Sequence, residues 1–275
     1  MRTLLVFGAS GAVGRFLLPQ VPAHCQAIPV SRQRRAGWVC ADLGDSGAAW
    51  PDADAAISLG PLDAFAAWLK RRADRSLRRV IAFSSMSADS KRDSDDAKER
   101  AIALRLTASE ETLRTISAAR GIALTIFRPT LIYGAGIDRS LAPIAKFMRR
   151  WRIAPIPVGA TGLRQPVHAA DLAAACVAVL ETSATFGNIY ALGGGERLSF
   201  RSMLMRMRAE NSALPVPIPL SVLAVLARSG SINKAAIRRL RVPLIADNTA
   251  AARDFGYAPR PFIAGDVLPV AQAQS

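Results

Sequence analysis

Thr3-Leu4-Leu5-Val6-Phe7-Gly8-Ala9-Ser10-Gly11-Ala12-Val13-Gly14 runs from a short β-rich apolar segment through a glycine turn into a helical stretch that continues to about Gln20. Each glycine meets a separate physical need. Gly8 permits the tight turn, Gly11 lets backbone amides approach a pyrophosphate, and Gly14 allows close packing of helix on strand. The helix start, with Ser10, Ala12 and Val13 around it, adds the positive end of its dipole. A strand before and a helix after are the context that makes this spacing a dinucleotide-binding turn.

The same alternation continues outward. Ala27–Val30, Gly37–Cys40, Ala55–Leu59, Arg79–Phe83 and Ala123–Phe127 read as strands, and residues 62–76 and 97–119 as helices, the first with Leu62, Phe65, Trp68 and Leu69 on one face. A helix over Ala170–Leu180 and a strand over Asn188–Ala191 rejoin the sheet after a stretch rich in proline and glycine that begins at Pro129. This predicts an α/β fold, a Rossmann-type doubly wound parallel sheet with a small, mainly helical C-terminal lobe. The dinucleotide domain is expected to take 1–134 plus about 165–195. The lobe takes about 135–164 plus 196–275.

Composition narrows the classes. At 275 residues and 51% apolar, the chain can bury a sizeable core and is no disordered segment. Its formal charge of +15 favours anionic ligands. Cys25, Cys40 and Cys176 with His24 and His168 show no ligand spacing, so no metal site and no disulfide framework are expected, which suits a reducing cytoplasm. Leu4 to Phe7 is too short an apolar run for a signal peptide, and Leu214 to Ala227, with Pro215, Pro217 and Pro219, too short for a membrane span. The basic runs at 71, 72, 75, 78, 79 and at 238, 239, 241 lack interleaved aromatics and read as solvated faces, and the acidic-basic stretch Asp89–Arg100 as a solvated loop running into a helix. Leu220–Ala227 is expected to pack in the lobe or an oligomer contact. Nucleic acid and membrane are therefore not the expected partners.

The second strand ends Val30-Ser31-Arg32-Gln33-Arg34-Arg35. A carboxylate there would take the ribose 2′-hydroxyl of NAD. Instead a hydroxyl and three guanidiniums stand at the spot, and a guanidinium fork matches a 2′-phosphate, so NADP is favoured over NAD. Asp42, followed by Leu43, either accepts from an adenine amino group or closes a strand-end turn.

Read in order, the Gly8–Gly14 turn, Ala41-Asp42-Leu43, Asp54-Ala55-Ala56-Ile57-Ser58-Leu59-Gly60 and Phe83-Ser84-Ser85 lead to Arg128-Pro129-Thr130-Leu131-Ile132-Tyr133-Gly134. Arg164-Gln165-Pro166-Val167-His168-Ala169-Ala170-Asp171-Leu172-Ala173 and Asp247-Asn248-Thr249 through Phe255-Gly256-Tyr257-Ala258-Pro259-Arg260 complete the series. Over nearly the whole chain this resembles the extended short-chain dehydrogenase/reductase superfamily, in its NAD-dependent epimerase/dehydratase family of nucleotide-sugar enzymes. The resemblance implies that Ser58, Leu59 and Gly60 lie along the cofactor's ribose and pyrophosphate and that Pro129 to Ile132 pass beside the nicotinamide. It also implies that Arg164 clamps a substrate diphosphate, where the residue alone could equally form a surface salt bridge, and that a homodimer pairs the 97–119 helices. By their local contexts Asp171 is expected to cap the helix that follows it and His168 to be structural.

The pattern breaks at the chemistry. The family's proton relay is a Tyr-x-x-x-Lys pair on one face of the long helix, in which lysine and cofactor charge lower the tyrosine pKa. The only tyrosines are Tyr133, Tyr190 and Tyr257, and none has lysine four positions on. Ala103 or Leu104 falls at the tyrosine position and Thr107 or Ala108 at the lysine position, while Met86 replaces the expected hydroxyl between Ser85 and Ser87. Thr107, Ser109, Arg105, Glu110 and Tyr133 are the substitutes within reach, and arginine is too weak an acid to relay protons. Catalytic residues are thus unassigned. Two readings follow: an atypical NAD(P)-dependent oxidoreductase or epimerase acting on an anionic, nucleotide-sugar-like substrate, or a catalytically degenerate NADP-binding regulatory or assembly protein.

Overall fold

The computed structural model describes residues 2–45, 47–72, 76–219, 221–222 and 234–268. Leu220–Ala227, Arg75 and the last residues of the helix predicted over 62–76 lie wholly or mainly outside them. The first half alternates β1 (Arg2–Phe7), α1 (Ala12–Leu17), β2 (Cys25–Ser31), β3 (Val39–Cys40), β4 (Ala55–Ser58), α2 (Leu62–Arg71) and β5 (Arg79–Phe83). After a short turn of helix, α3 (Ser87–Ser90), come α4 (Ala97–Arg120), β6 (Ala123–Pro129) and β7 (Ile132–Tyr133). The strands pair in parallel in the order β3-β2-β1-β4-β5-β6, extended beyond β6 by a later strand, Ile189–Leu192. The chain winds outward in both directions from β1, so the order reverses between β1 and β4. At such a switch point the connections diverge and leave a crevice at the carboxyl ends of the strands.

Two apolar layers cover the sheet. Leu4, Val6, Ile57 and Ile81 face α1 and the helix α6 (Ala169–Val179), while Leu5, Phe7, Val80 and Ala82 face α2 and α4. This alternation along each buried strand follows from the two-residue period of β structure. A third cluster lies outside the sheet, where Tyr133 and α5 (Leu141–Trp151) meet α7 (Phe200–Glu210), Phe262 and Val267.

The lobe holds strands as well as helices. Ile153–Pro157 pairs in parallel with Leu214–Ile218, and Leu163–Arg164 antiparallel with Leu198–Ser199. The first pair is built from the proline-rich stretch. Pro215 and Pro217 alternate, which sets their missing N–H groups along one side of the strand, an arrangement tolerated at a sheet edge.

The C-terminal motifs close onto the sheet by polar contacts. Gln165, buried, donates to the Gly194 carbonyl at 2.8 Å and accepts from Ala246 N at 2.8 Å. Asn248 accepts from Gly193 N at 2.9 Å, and the Tyr257 hydroxyl donates to the Gly193 carbonyl at 3.0 Å.

Two basic runs differ from their reading as solvated faces. Arg72 and Arg79 of the first are buried. Arg79 Nη2 donates to the carbonyl of Val179 at 2.7 Å and to Thr125 Oγ1 at 2.8 Å, and its Nη1 to Ala123 O at 2.8 Å. It therefore caps the end of α6, where carbonyls lack helical partners. Burial pushes its pKa down to about 10, which leaves it charged at neutral pH. In the second run Arg238 pairs with Asp95, and Arg239 with Glu99 at 3.0 Å, so this basic segment meets the acidic-basic stretch before α4. Replacing Arg79 with Met leaves these carbonyls buried without donors. Chemical denaturation should show a loss of about 3 kcal/mol.

Candidate functional site

The crevice at the β1–β4 switch point is a cavity of about 900 Å³, toward the upper end of the ~300–1,000 Å³ usual for small-molecule sites. Its floor is the glycine turn. Gly8 has φ 73°, and a Cβ there would lie 3.1 Å from the Leu59 carbonyl carbon. A Cβ on Gly14 would come within 2.3 Å of the Ala9 carbonyl oxygen, which is backbone and cannot yield. These constraints bring the start of α1 onto the ends of β1 and β4, with the first helical N–H groups directed at the crevice.

The predicted residues divide into two groups. Gly8, Ser10 and Gly11, then Ser31 and Arg32, Asp42 and Leu43, and Leu59 with Gly60 all line the cavity. Ala12, Val13, Gly14 and Ser58 stand behind it as packing, and Ser58 is fully buried. Pro129 is not among the walls. Its carbonyl accepts from Met86 N at 3.2 Å and the strand end pairs with Leu192. Of the three guanidiniums after β2 only Arg32 reaches the cavity. Arg34 and Arg35 face a neighbouring recess, with Arg35 stacked 5.1 Å from the Trp38 ring. Asp42 Oδ1 accepts from Gly44 N at 2.7 Å and so closes a turn while its residue lines the cavity. Arg139, which the sequence reading missed, joins the lining from the lobe.

This geometry fits a dinucleotide. Amides and a helix dipole stand at the turn, a guanidinium stands at the end of β2, and no Cβ fills the floor. The cofactor itself would supply hydride chemistry when bound.

The residues that would have to do proton chemistry are engaged elsewhere. On α4, Ala103 is buried and Leu104 points outward at 68% exposure. Thr107 and Ser109 donate to carbonyls of their own helix, and Arg105 faces Asp63 at 3.6 Å. Glu110, buried, accepts from Arg128 Nε at 2.9 Å and also holds Ser84. Ser85 accepts from Ser87 N at 3.1 Å. Tyr133 is fully buried between Pro261 and Ile263, and burial pushes its pKa to about 12, the wrong direction for a base at neutral pH.

Arg164 is buried too. Its Nη1 donates to Leu163 O and Val242 O, both at 2.8 Å, and its Nη2 to Arg239 O. It fastens the 239–244 segment to the lobe; a clamp on a diphosphate would need those donors free. Asp171 is not the helix cap. His168 caps α6, its Nδ1 accepting from Ala170 N at 3.1 Å, while Asp171 receives Arg260 Nε at 2.8 Å. The cap comes three positions earlier because the strand Val167–His168 runs straight into the helix.

A model of the NAD dependent epimerase/dehydratase family matches residues 40–193, more than half of the chain. The chain belongs to that family. The match begins beyond the glycine turn and Arg32. Among curated proteins it is similar to NADH dehydrogenase [ubiquinone] 1 alpha subcomplex subunit 9, mitochondrial, of Arabidopsis thaliana, 28% identical over 163 residues, which are 58% of this chain and 38% of that protein. The Dictyostelium discoideum protein of the same name is 30% identical over 97 residues, 34% of this chain and 27% of that one. The matches thus span well under half the length of these relatives. Among solved structures, RMD from Pseudomonas aeruginosa complexed with NADPH superposes with a TM-score of 0.73 at 17% identity, covering 97% of this chain and 96% of that one. UDP-glucuronic acid 4-epimerase from Bacillus cereus in complex with NAD gives 0.74 at 15%, covering 96% of each. These likenesses establish the shared fold of the family.

His168 offers a direct check on the cap. Burial first, then Arg260, hold its pKa below the ordinary histidine value. The folded state thus binds fewer protons than the unfolded state. The cap's contribution is complete above the unfolded pKa of ~6.5 and is lost as pH falls toward the folded value. The thermal midpoint should drop on acidification below about pH 6.5, and His168→Asn, which retains a capping oxygen, should drop less steeply.

Proposed function

We propose that the chain binds NADP in the switch-point crevice and holds it as a component of a larger assembly, without performing the family's proton-relayed hydride transfer. One observation carries this reading: the glycine turn, Arg32 and the ends of β1 and β4 share one cavity, while the groups that could replace the absent Tyr and Lys are engaged in structural hydrogen bonds, ion pairs or buried packing. Binding and chemistry use separate residues in this fold, so one can persist without the other. The names of the two curated relatives, both subunits of a multi-subunit NADH dehydrogenase, support an assembly role. The NADP preference rests on Arg32 standing at the cavity with no carboxylate at the end of β2.

The reading of an atypical enzyme on a nucleotide sugar has in its favour the described part of the lobe and the overall likeness to a sugar-nucleotide epimerase. It loses support where Arg164, its diphosphate clamp, is committed to three carbonyls.

Titration of cofactor fluorescence tests the proposal. NADPH should bind in the micromolar range and NADH more weakly. Arg32→Ala should weaken NADPH by about tenfold while leaving NADH unchanged, the worth of one charge-assisted phosphate contact. Steady NADPH oxidation with carbonyl or nucleotide-sugar substrates would overturn the non-catalytic half of the proposal. No binding of either cofactor would overturn all of it.

A further inference from the structure

Arg139 lies between β7 and α5, on a loop fixed at both ends. At one end Gly134 turns the chain with φ 111°, and a Cβ there would lie 2.3 Å from His168 Nε2, inside the ring. At the other, Asp138 Oδ1 accepts from Ser140 N at 2.9 Å, Leu141 N at 2.6 Å and Ala142 N at 3.1 Å, capping the start of α5. Between these anchors the Arg139 side chain lines the nucleotide cavity. Among the described residues it has no hydrogen bond or ion pair. The one carboxylate residue sharing the cavity, Asp42, is turned to Gly44.

We infer that Arg139 is a second cationic contact of the bound dinucleotide, on its diphosphate, so that the lobe and the Rossmann half close the site together. This rests on the nucleotide reading above. Sheet order decides which phosphate is met. Arg32 stands on the β2 side of β1, at the adenosine end. The loop carrying Arg139 follows β6 and β7, and β6 lies on the opposite side of β1, beyond β4 and β5. From that side the parts of the shared lining nearest in sheet order are Gly60 and the Gly8–Gly11 turn, whose amides would cradle a diphosphate. A guanidinium adds a bidentate fork to donors that are otherwise backbone N–H groups. Its anchored loop reduces the ordering that binding would require.

The test compares the native chain with Arg139→Ala and Arg139→Lys, titrated with NADPH and, by competition, with adenosine 2′-phosphate, which has no diphosphate. Arg139→Ala should weaken NADPH by about tenfold, the worth of one charge-assisted phosphate contact, and leave adenosine 2′-phosphate unchanged. Arg139→Lys should fall between, and the thermal midpoint should not move, since among the described residues the side chain has no hydrogen bond or ion pair. Unchanged NADPH affinity in Arg139→Ala overturns the inference and leaves the nucleotide reading standing. An equal loss for both ligands also overturns it, because it removes the diphosphate as the contact. A native chain that binds neither ligand overturns both readings.

Discussion

The absence of a side chain at Gly14 is the constraint on which the rest of the site depends. The start of α1 rests on the Ala9 carbonyl so closely that any Cβ would overlap it. That contact sets the angle of the helix against β1, and the angle sets where its free N–H groups point. With Gly8 in the left-handed region above Leu59 and Gly60, the ends of β1 and β4 are drawn under one helix terminus. A crevice at the switch point then follows from parallel winding alone. The proposed preference for NADP rests farther out, on Arg32 at the end of β2.

Much of this was legible along the chain because the interactions are local. Strand period and turn chemistry both lie within twelve residues of Thr3, and Leu4, Val6, Ile57 and Ile81 are apolar because the sheet is covered on both faces. The parallel pairing follows from the alternation of strands with helices, since parallel neighbours need crossover connections. That no tyrosine has lysine four positions on is a fact of the sequence itself, a matter of which residues occur at which spacing.

The remainder was not, and for stated physical reasons. Arg79 sits in a run of arginines that pattern assigns to solvent, yet it is buried against carbonyls about 100 residues later in the chain. Arg164 has the composition of a ligand contact, but its donors are spent on a segment some 75 residues away. The capping role passes from Asp171 to His168 because a two-residue strand enters the helix without a loop. Arg139 carries no local signal at all. It reaches the cavity only through the fold of the lobe, anchored by Gly134 against His168 and by Asp138 at α5. Each of these side chains is decided by tertiary contact, which neither periodicity nor spacing encodes.

The proposed reading, a nucleotide site without the family's proton relay, requires that the two be held by different elements. The turn and crevice belong to β1, α1, β2 and β4, whereas the relay would have belonged to α4, where Ala103 packs, Thr107 and Ser109 bond their own helix, and Glu110 holds Arg128 and Ser84. Backbone hydrogen exchange with and without NADPH separates those elements directly. Slowed exchange over Gly8–Gly14 and the 30–33 and 59–61 segments, with α4 unchanged, is the predicted result. Exchange over Gly8–Gly14 that does not change with saturating NADPH would contradict a nucleotide held by the glycine turn.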